Sequence, residues 1–494
     1  MDVPLKRSLP ASPPDVSDAP ICYHRPVNPV AASFIFFLLL FVVIGAYSAR
    51  HSKSTIDDYL LAGRSVGPWV TALSAVASNN SGFMFIGLIG TTYTMGLSAI
   101  WIMFGWIFGD YLMWFWVHRR LRERSEQLDA RTIPSFLAAD LPRGGQGVRG
   151  VAALITLAFL GTYASAQLSA GSKALHVLFG WEYALGAIVG AGIVLIYCFA
   201  GGIRASIWTD VAQSIIMILS MVLLWIVALE RVGGWQALWS QLAAIDPRLI
   251  DPFPPDPRFG VVLYILGWMG AGIGVVGQPH IMVRAMACRS GREINKARHI
   301  YLIWYLIFTA GCYGVALACR VLLPDIGSFD AELALPTLAM ELLPGVLVGL
   351  ILAGLFSATM STADSQVLSC SAALTQDLFP RWRHSYRAAK VGTVIVMLVV
   401  LAIALGGSQN VFALVTMSWS ALAAGLGPLL VIRALGLPVG APVGLAVMGS
   451  GLLTVFVWSY GLGYSNEVFE VLPGMLVGVL VYLVLRPRGE RSVD

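Results

Sequence analysis

Residues 68–96 read PWVTALSAVASNNSGFMFIGLIGTTYTMG, a run long and apolar enough to cross a bilayer. At its middle stand Ser78, Asn79, Asn80, Ser81 and Gly82, five small or polar residues in a row. An unpaired backbone group in hydrocarbon costs on the order of several kcal/mol, and polar side chains there are expensive too. Such a patch survives only where it is buried in protein or lines a wet cavity. The run is therefore expected to be a membrane helix broken at its centre, with the rest of the chain as its scaffold.

The composition agrees. Of 494 residues, 57% are hydrophobic and only 12% charged, whereas soluble domains carry about 25% charged residues. The chain reads as an all-α integral membrane protein. Apolar runs give about thirteen spans, near 29–48, 68–97, 99–118, 150–175, 182–201, 206–230, 259–283, 299–320, 342–372, 389–407, 410–432, 438–459 and 466–486. Residues 1–28 are rich in Pro, Ser and Asp and are expected to be a disordered extracytoplasmic tail. They stay polar for too long to be a standard signal peptide, so the first span is expected to remain attached. The cysteines (Cys22, Cys198, Cys288, Cys312, Cys319 and Cys370) lack metal-type spacing and read as packing residues. Nothing resembles a Walker loop or a signalling domain. The net charge of +5 does not point to nucleic acid, because the basic residues sit in short loops.

Those basic residues set the orientation. Loops after odd-numbered spans, with the C-terminal tail, hold 24 of the 32 lysines and arginines; loops after even-numbered spans hold 5, and the N-terminal tail the rest. The expectation is a multi-pass protein of a bacterial inner membrane, N-terminus outside and C-terminus cytoplasmic.

A second polar patch lies in the ninth span. Ala358, Ser361, Thr362 and Ser365 fall at i, i+3, i+4 and i+7, one face of a helix, beside Asp364. Hydroxyls and carbonyls are hard oxygen ligands suited to a small cation. Serine and threonine also pack where membrane helices approach closely, but four positions on one face beside an aspartate favour an ion site. Asp210, in GGIRASIWTD, reads either as an interfacial carboxylate paired with Arg204 or as a second cation site shared with Asp364 and Ser365. Asp110 reads as a buried structural partner. GWMGAGIGVVGQPHIMVRAMA, 267–287, is the counterpart of the first break, its glycines and Gln278-Pro279 marking a kink. His280 reads as a helix-end histidine with a backbone partner, or as a proton relay. Tyr163 and Gln167 share a helical face that points toward a substrate.

At this point LAGRSVGPWVTALSAVAS with SGFMFIGLIG, GGIRASIWTD, GQPHIMVRAMA and ILAGLFSATMSTADSQVLSCSAALTQDLF, in that order, resemble the sodium:solute symporter family, and within it the bacterial sodium/proline symporters. The resemblance implies a leucine-transporter-type core of two inverted five-helix repeats, residues 68–230 and 259–432. The span at 29–48 would precede the core, and two peripheral spans with a cytoplasmic tail, 438–494, would follow. It implies a sodium site at Ala77, Asn80, Ala358, Ser361 and Thr362, and a second cation site at Asp210, Asp364 and Ser365. The substrate is expected among Asn80, Ser81, Gly82, Tyr163, Gln167, Trp268, Ala271, Val275 and Gln278. A carboxylate on it would meet the N–H groups freed at Ser81 and Gly82.

Two departures stand out against the proline transporters. Asn79 replaces an aspartate just before the break, keeping an oxygen but losing a charge. Ala271 and Val275 replace aromatic pocket residues, so the pocket is expected to be larger and less aromatic, with Trp268 nearly a turn away. The expected function is symport of a small organic solute, a proline-like amino acid first, with Na+, and no enzyme activity. The partners implied are that solute and membrane lipid, with no nucleic acid and no obligate protein partner. Three rivals remain, the same fold coupled to protons, a non-transporting membrane sensor, and a membrane enzyme, which is disfavoured because no nucleophile–base pair or metal cluster stands out in the spans.

Overall fold

The computed structural model describes residues 27–50, 53–141, 144–324, 327, 329–408 and 410–486. The tail expected over 1–28 lies, as far as residue 26, outside the described residues, as does Cys22. Among the described residues the fold is helical, apart from an isolated bridge between Val66 and Cys288. Val27–Ala49 comes first. The helices that build the centre are named here as α1 Pro68–Asn79, α2 Gly161–Phe179, α3 Tyr183–Val232, α4 Val261–Ile273, α5 Pro279–Ala287, α6 Gly291–Leu322, α7 Gly345–Ala372 and α8 Val411–Ala434.

Nine described helices are long and apolar enough to cross a bilayer, ten with the bent pair Val261–Gly277 and Pro279–Ala287, whose halves are inclined by 56°. The sequence count of about thirteen is not reached on length and apolarity alone. Tyr183–Ile196 and Val471–Leu485 are too short by themselves. Elsewhere two expected spans share one continuous helical run: Gly82–Gln127 turns at Gly96, and α3 is kinked at Gly202. At Gly202, φ is +56° and a Cβ would stand 2.5 Å from the Tyr59 ring, so only glycine fits.

Local chemistry places the two breaks. Pro68 starts α1 at N1, where a missing N–H costs nothing. The helix stops at Asn79, because Asn80 leaves the helical region (φ −90°, ψ 81°). Ser81 then caps the next helix, Gly82–Phe85, by accepting from Phe83 N. The second break repeats this logic. A tight turn, Gly274–Gly277, ends α4, Gln278 is extended, and Pro279 opens α5.

α7 lies at the core of the molecule. From Leu352 to Val367 every residue is buried, the hydroxyl-rich face and Asp364 included. It packs against α3, α2 and Val27–Ala49, and crosses α1 at the break. Five cysteines are buried and free, as their packing role requires. The outer helices instead leave Phe36, Leu39, Leu219, Ile226, Leu398 and Val484 exposed, a surface suited to lipid rather than water.

Candidate functional site

Where α1 breaks, α7 answers with hydroxyls. Ser361 Oγ donates to Ala77 O at 3.0 Å, and Thr362 Oγ1 donates to Ser78 O at 3.2 Å. Ser361 Oγ also lies 3.2 Å from Ala358 O. Asn80 returns its own N and Nδ2 to Val76 O, and its Oδ1 is buried without a partner. Ala77, Asn80, Ala358, Ser361 and Thr362 are all completely buried. Oxygen donors from two separate helices therefore converge in a dry interior. The donor set fits a small hard cation, which would take the carbonyls while the hydroxyls turned their lone pairs to it.

Next to these oxygens the residues expected to meet a solute gather. Tyr163 O–H donates to Ser81 Oγ at 3.2 Å. Gly82 N donates to Gln167 Oε1 at 2.8 Å, so the N–H expected to stand free is held by a side chain of α2. The Gln167 Nε2 is buried and unpartnered, as are Gln278 Oε1 and both ring nitrogens of His280. His280 thus lacks the backbone partner expected of it; its ring meets Tyr163 edge to face at 5.7 Å. A Cβ on Gly82 would approach Thr359 Cγ2 to 2.7 Å, which is why the smallest residue stands there. Buried polar groups normally find partners. Orphaned polar atoms thus stand at both breaks, those of Asn80 and Gln167 at the first and those of Gln278 and His280 at the second.

The surroundings of Ala271 bear on the pocket expected to be less aromatic. Ala271 and Val275 are fully buried, but aromatic rings arrive from other helices. Trp419 of α8 donates through Nε1 to Ala271 O at 2.9 Å, and its own carbonyl accepts from Gln278 Nε2. Trp106 packs on Trp419 with ring centroids 4.6 Å apart, and Phe83 lies against Trp106 and Phe412. Trp268 does not refill the pocket from its own helix. It stacks on Phe469 at 4.5 Å and forms the outer edge of the same aromatic layer. Sequence reasoning missed Trp106, Trp419 and Phe412, because contacts between remote helices leave no local pattern.

Asp210 is fully buried and pairs with Arg284 at 3.2 Å, not with Arg204. Arg204 instead holds Asp58, with Nε 3.1 Å from each carboxylate oxygen. Asp364 Oδ1 accepts from Ser206 and Ser365 at 3.0 and 2.9 Å. The three residues expected at a second cation site are indeed brought together, with a guanidinium among them. Arg284 stands just past the span expected to end at residue 283, where a loop residue would be expected; in the fold it is 1% exposed. Asp110 behaves as expected, accepting from Tyr301 O–H at 2.5 Å and from Asn79 Nδ2 at 3.1 Å.

The two ends of the site differ. On the arginine-rich side, a narrow cleft with a cavity volume of about 30 Å³ reaches Pro279, Val283 and Arg284, with Arg131, Thr132 and Leu368 among its walls. Nearby, Arg64 ties Met286 O to Ala130 O, and burial beside Arg122 pulls its guanidinium down to about 10, still charged at neutral pH. On the other side lies the aromatic layer, and beyond it Lys173 Nζ bridges Asp330 and Glu332, both at 2.6 Å. Glu332 in turn accepts from Val411 N and Phe412 N, capping α8.

The fold agrees with comparison to known proteins. The family model of the sodium:solute symporter family matches residues 59–435. Curated relatives include sodium/proline symporters of Staphylococcus aureus strains JH9 and COL, each 33% identical over 470 residues and covering 91% of both chains. Among solved structures, a Na+-coupled sialic acid symporter in a substrate-bound outward-open state superimposes with a TM-score of 0.77 at 19% identity, covering 93% of this chain and 98% of that one. A nucleobase–cation symport-1 family transporter in a closed conformation gives 0.54 at 17% identity, covering 86% and 94%. The fold is thus the leucine-transporter type, with a broken first core helix. The chain belongs to the sodium:solute symporter family. It is a multi-pass membrane transporter that couples a small solute to sodium, not an enzyme.

Proposed function

We propose that this chain carries a proline-like amino acid inward across a bacterial inner membrane together with Na+, by alternating access. The observation that carries the reading is the meeting of Ser361 and Thr362 with the Ala77 and Ser78 carbonyls at the break. The carbonyls of Ala77, Asn80 and Ala358 and the two hydroxyls would hold the ion. Each charge moved inward gains about 2.3 kcal/mol per 100 mV. A solute carboxylate would replace Gln167 at Gly82 N, with Asn80, Ser81, Tyr163 and Gln278 as further polar partners. Ala271, Val275 and the rings of Trp106 and Trp419 would enclose its apolar part. The 33% identity to sodium/proline symporters supports a proline-like solute.

In this reading the arginine-rich face is cytoplasmic, with the N-terminus outside and the C-terminus inside. The cleft at Arg284 is then the inner approach, and the aromatic layer with the Lys173 latch is the closed outer side. The repeats 68–230 and 259–432 would rock around the two breaks, which are the natural fixed points of the motion. The test is thermal stability of the purified protein, with and without sodium, across a panel of amino acids, small carboxylates and sugars. A ligand that binds only the folded state raises apparent stability by mass action. Stabilisation by proline or a close analogue only when sodium is present is expected. Stabilisation that follows pH and ignores sodium would transfer the coupling to protons. Absence of any response would overturn the proline-like reading and keep the sensor reading alive.

A further inference from the structure

The expected second cation site holds a cation that belongs to the chain. Arg284 Nη2 donates to Ser206 Oγ at 2.8 Å, to Asp210 Oδ2 at 3.2 Å and to Ser365 Oγ. Its Nε lies 3.3 Å from Ser74 Oγ, and its Nη1 donates to His280 O at 3.0 Å. Ser74 O–H also donates to Asp210 Oδ2 at 2.6 Å. One nitrogen thus stands within hydrogen-bond distance of the oxygens of Asp210 and Ser365 that a metal ion would need. Asp364, the third expected ligand, is met by two hydroxyls instead. All of these side chains are at most 1% exposed.

An isolated carboxylate in this interior would carry a heavy desolvation cost, and a guanidinium with its planar set of donors offsets it permanently. A free ion would have to displace a charge that is covalently tethered by α5. Arg284 holds Asp210 Oδ2 and Ser365 Oγ without reaching Asp364, so sodium does not find the three residues free together while Arg284 stays there. We propose that Arg284 is a built-in cation that fills the second site, so that the protein binds a single sodium ion, at the α1 break. Ser365 joins the two places: its hydroxyl lies 2.5 Å from Ser361 O and 3.1 Å from Ser78 Oγ. The tethered charge is thus wired directly to the site that stays open for the ion.

This inference rests on the sodium reading above, and counting bound ions separates the two. Equilibrium binding of radioactive sodium to the purified chain, without any solute, gives sites per chain and cooperativity. The expected result is about one site per wild-type chain with non-cooperative binding, the same count in Arg284→Lys, and about two in Arg284→Ala, where Asp210 loses its guanidinium partner. Two sites in the wild type would overturn the proposal without any variant. So would a single site of unchanged affinity in Arg284→Ala that retains a cooperative thermal transition. If Arg284→Ala does not fold, the wild-type and Arg284→Lys counts decide. No sodium bound by the wild type would instead sink the sodium reading itself, and this inference with it.

Discussion

Asn79 donates through Nδ2 to Oδ2 of Asp110 at 3.1 Å, and Tyr301 donates to that same oxygen at 2.5 Å. The charge missing from α1 is thus present one helix away, and the amide is the group that can face it. A carboxylate at 79 would stand against another carboxylate in a buried setting, and like charges at that distance repel strongly. Asn79→Asp is expected to lower stability by about 1–3 kcal/mol. Asn79→Asp combined with Asp110→Asn should recover most of the loss. Thermal unfolding of the single and double variants checks this, and a double variant no better than Asn79→Asp would refute the pairing.

The hydroxyls of α7 are expected to matter for the ion rather than for the fold. Ser361→Ala and Thr362→Ala each remove one oxygen from the break. Each should weaken apparent sodium affinity about tenfold, the equivalent of about 1.4 kcal/mol. Uptake into vesicles at graded sodium concentrations reads this directly. An unchanged sodium response in the double variant would remove these residues from the site.

Lys173 is held between Asp330 and Glu332, and Glu332 also caps α8. Removing one partner of a buried pair leaves an uncompensated charge. Glu332→Gln is expected to loosen the closed side and expose the layer beneath it. In a background lacking native cysteines, Ala271→Cys should react several-fold faster with a membrane-impermeant maleimide once Glu332→Gln is added. Equal rates would mean that the aromatic layer closes this side without the latch.

Gly202 tests the kink in α3. With φ at +56° and the Tyr59 ring and carbonyl at 2.5 and 2.6 Å from a built Cβ, Gly202→Ala suffers both backbone strain and overlap. A loss of about 2–4 kcal/mol is expected, read as a lower melting temperature. A variant as stable as the wild type would show that the kink can relax.

Much of this protein is legible in its sequence because membrane physics is local. Hydrocarbon demands continuous apolar helices, so the run at 68–96 announces its break as soon as Asn79 and Asn80 appear within it. Helical spacing alone puts Ser361, Thr362 and Ser365 on one face, and the structure turns that face to α1. Span counting is less secure, because glycines such as Gly96 and Gly202 let one helical run hold what reads as two.

Only the tertiary structure decided which remote groups meet. Nothing in the chain order places Trp106 and Trp419 beside Ala271, sends Arg204 to Asp58, or parks Arg284 among Asp210, Ser206 and Ser365. Each of those positions looks, within its own segment, like a lipid-facing ring or a loop cation. What they become is set by how helices cross, since a buried charge must find its counter-charge wherever packing brings one. The sequence by itself determined a broken-helix membrane transporter with a hydroxyl-rich helix face at its centre. The packing of the helices decided that Arg284 stands between Asp210, Ser206 and Ser365.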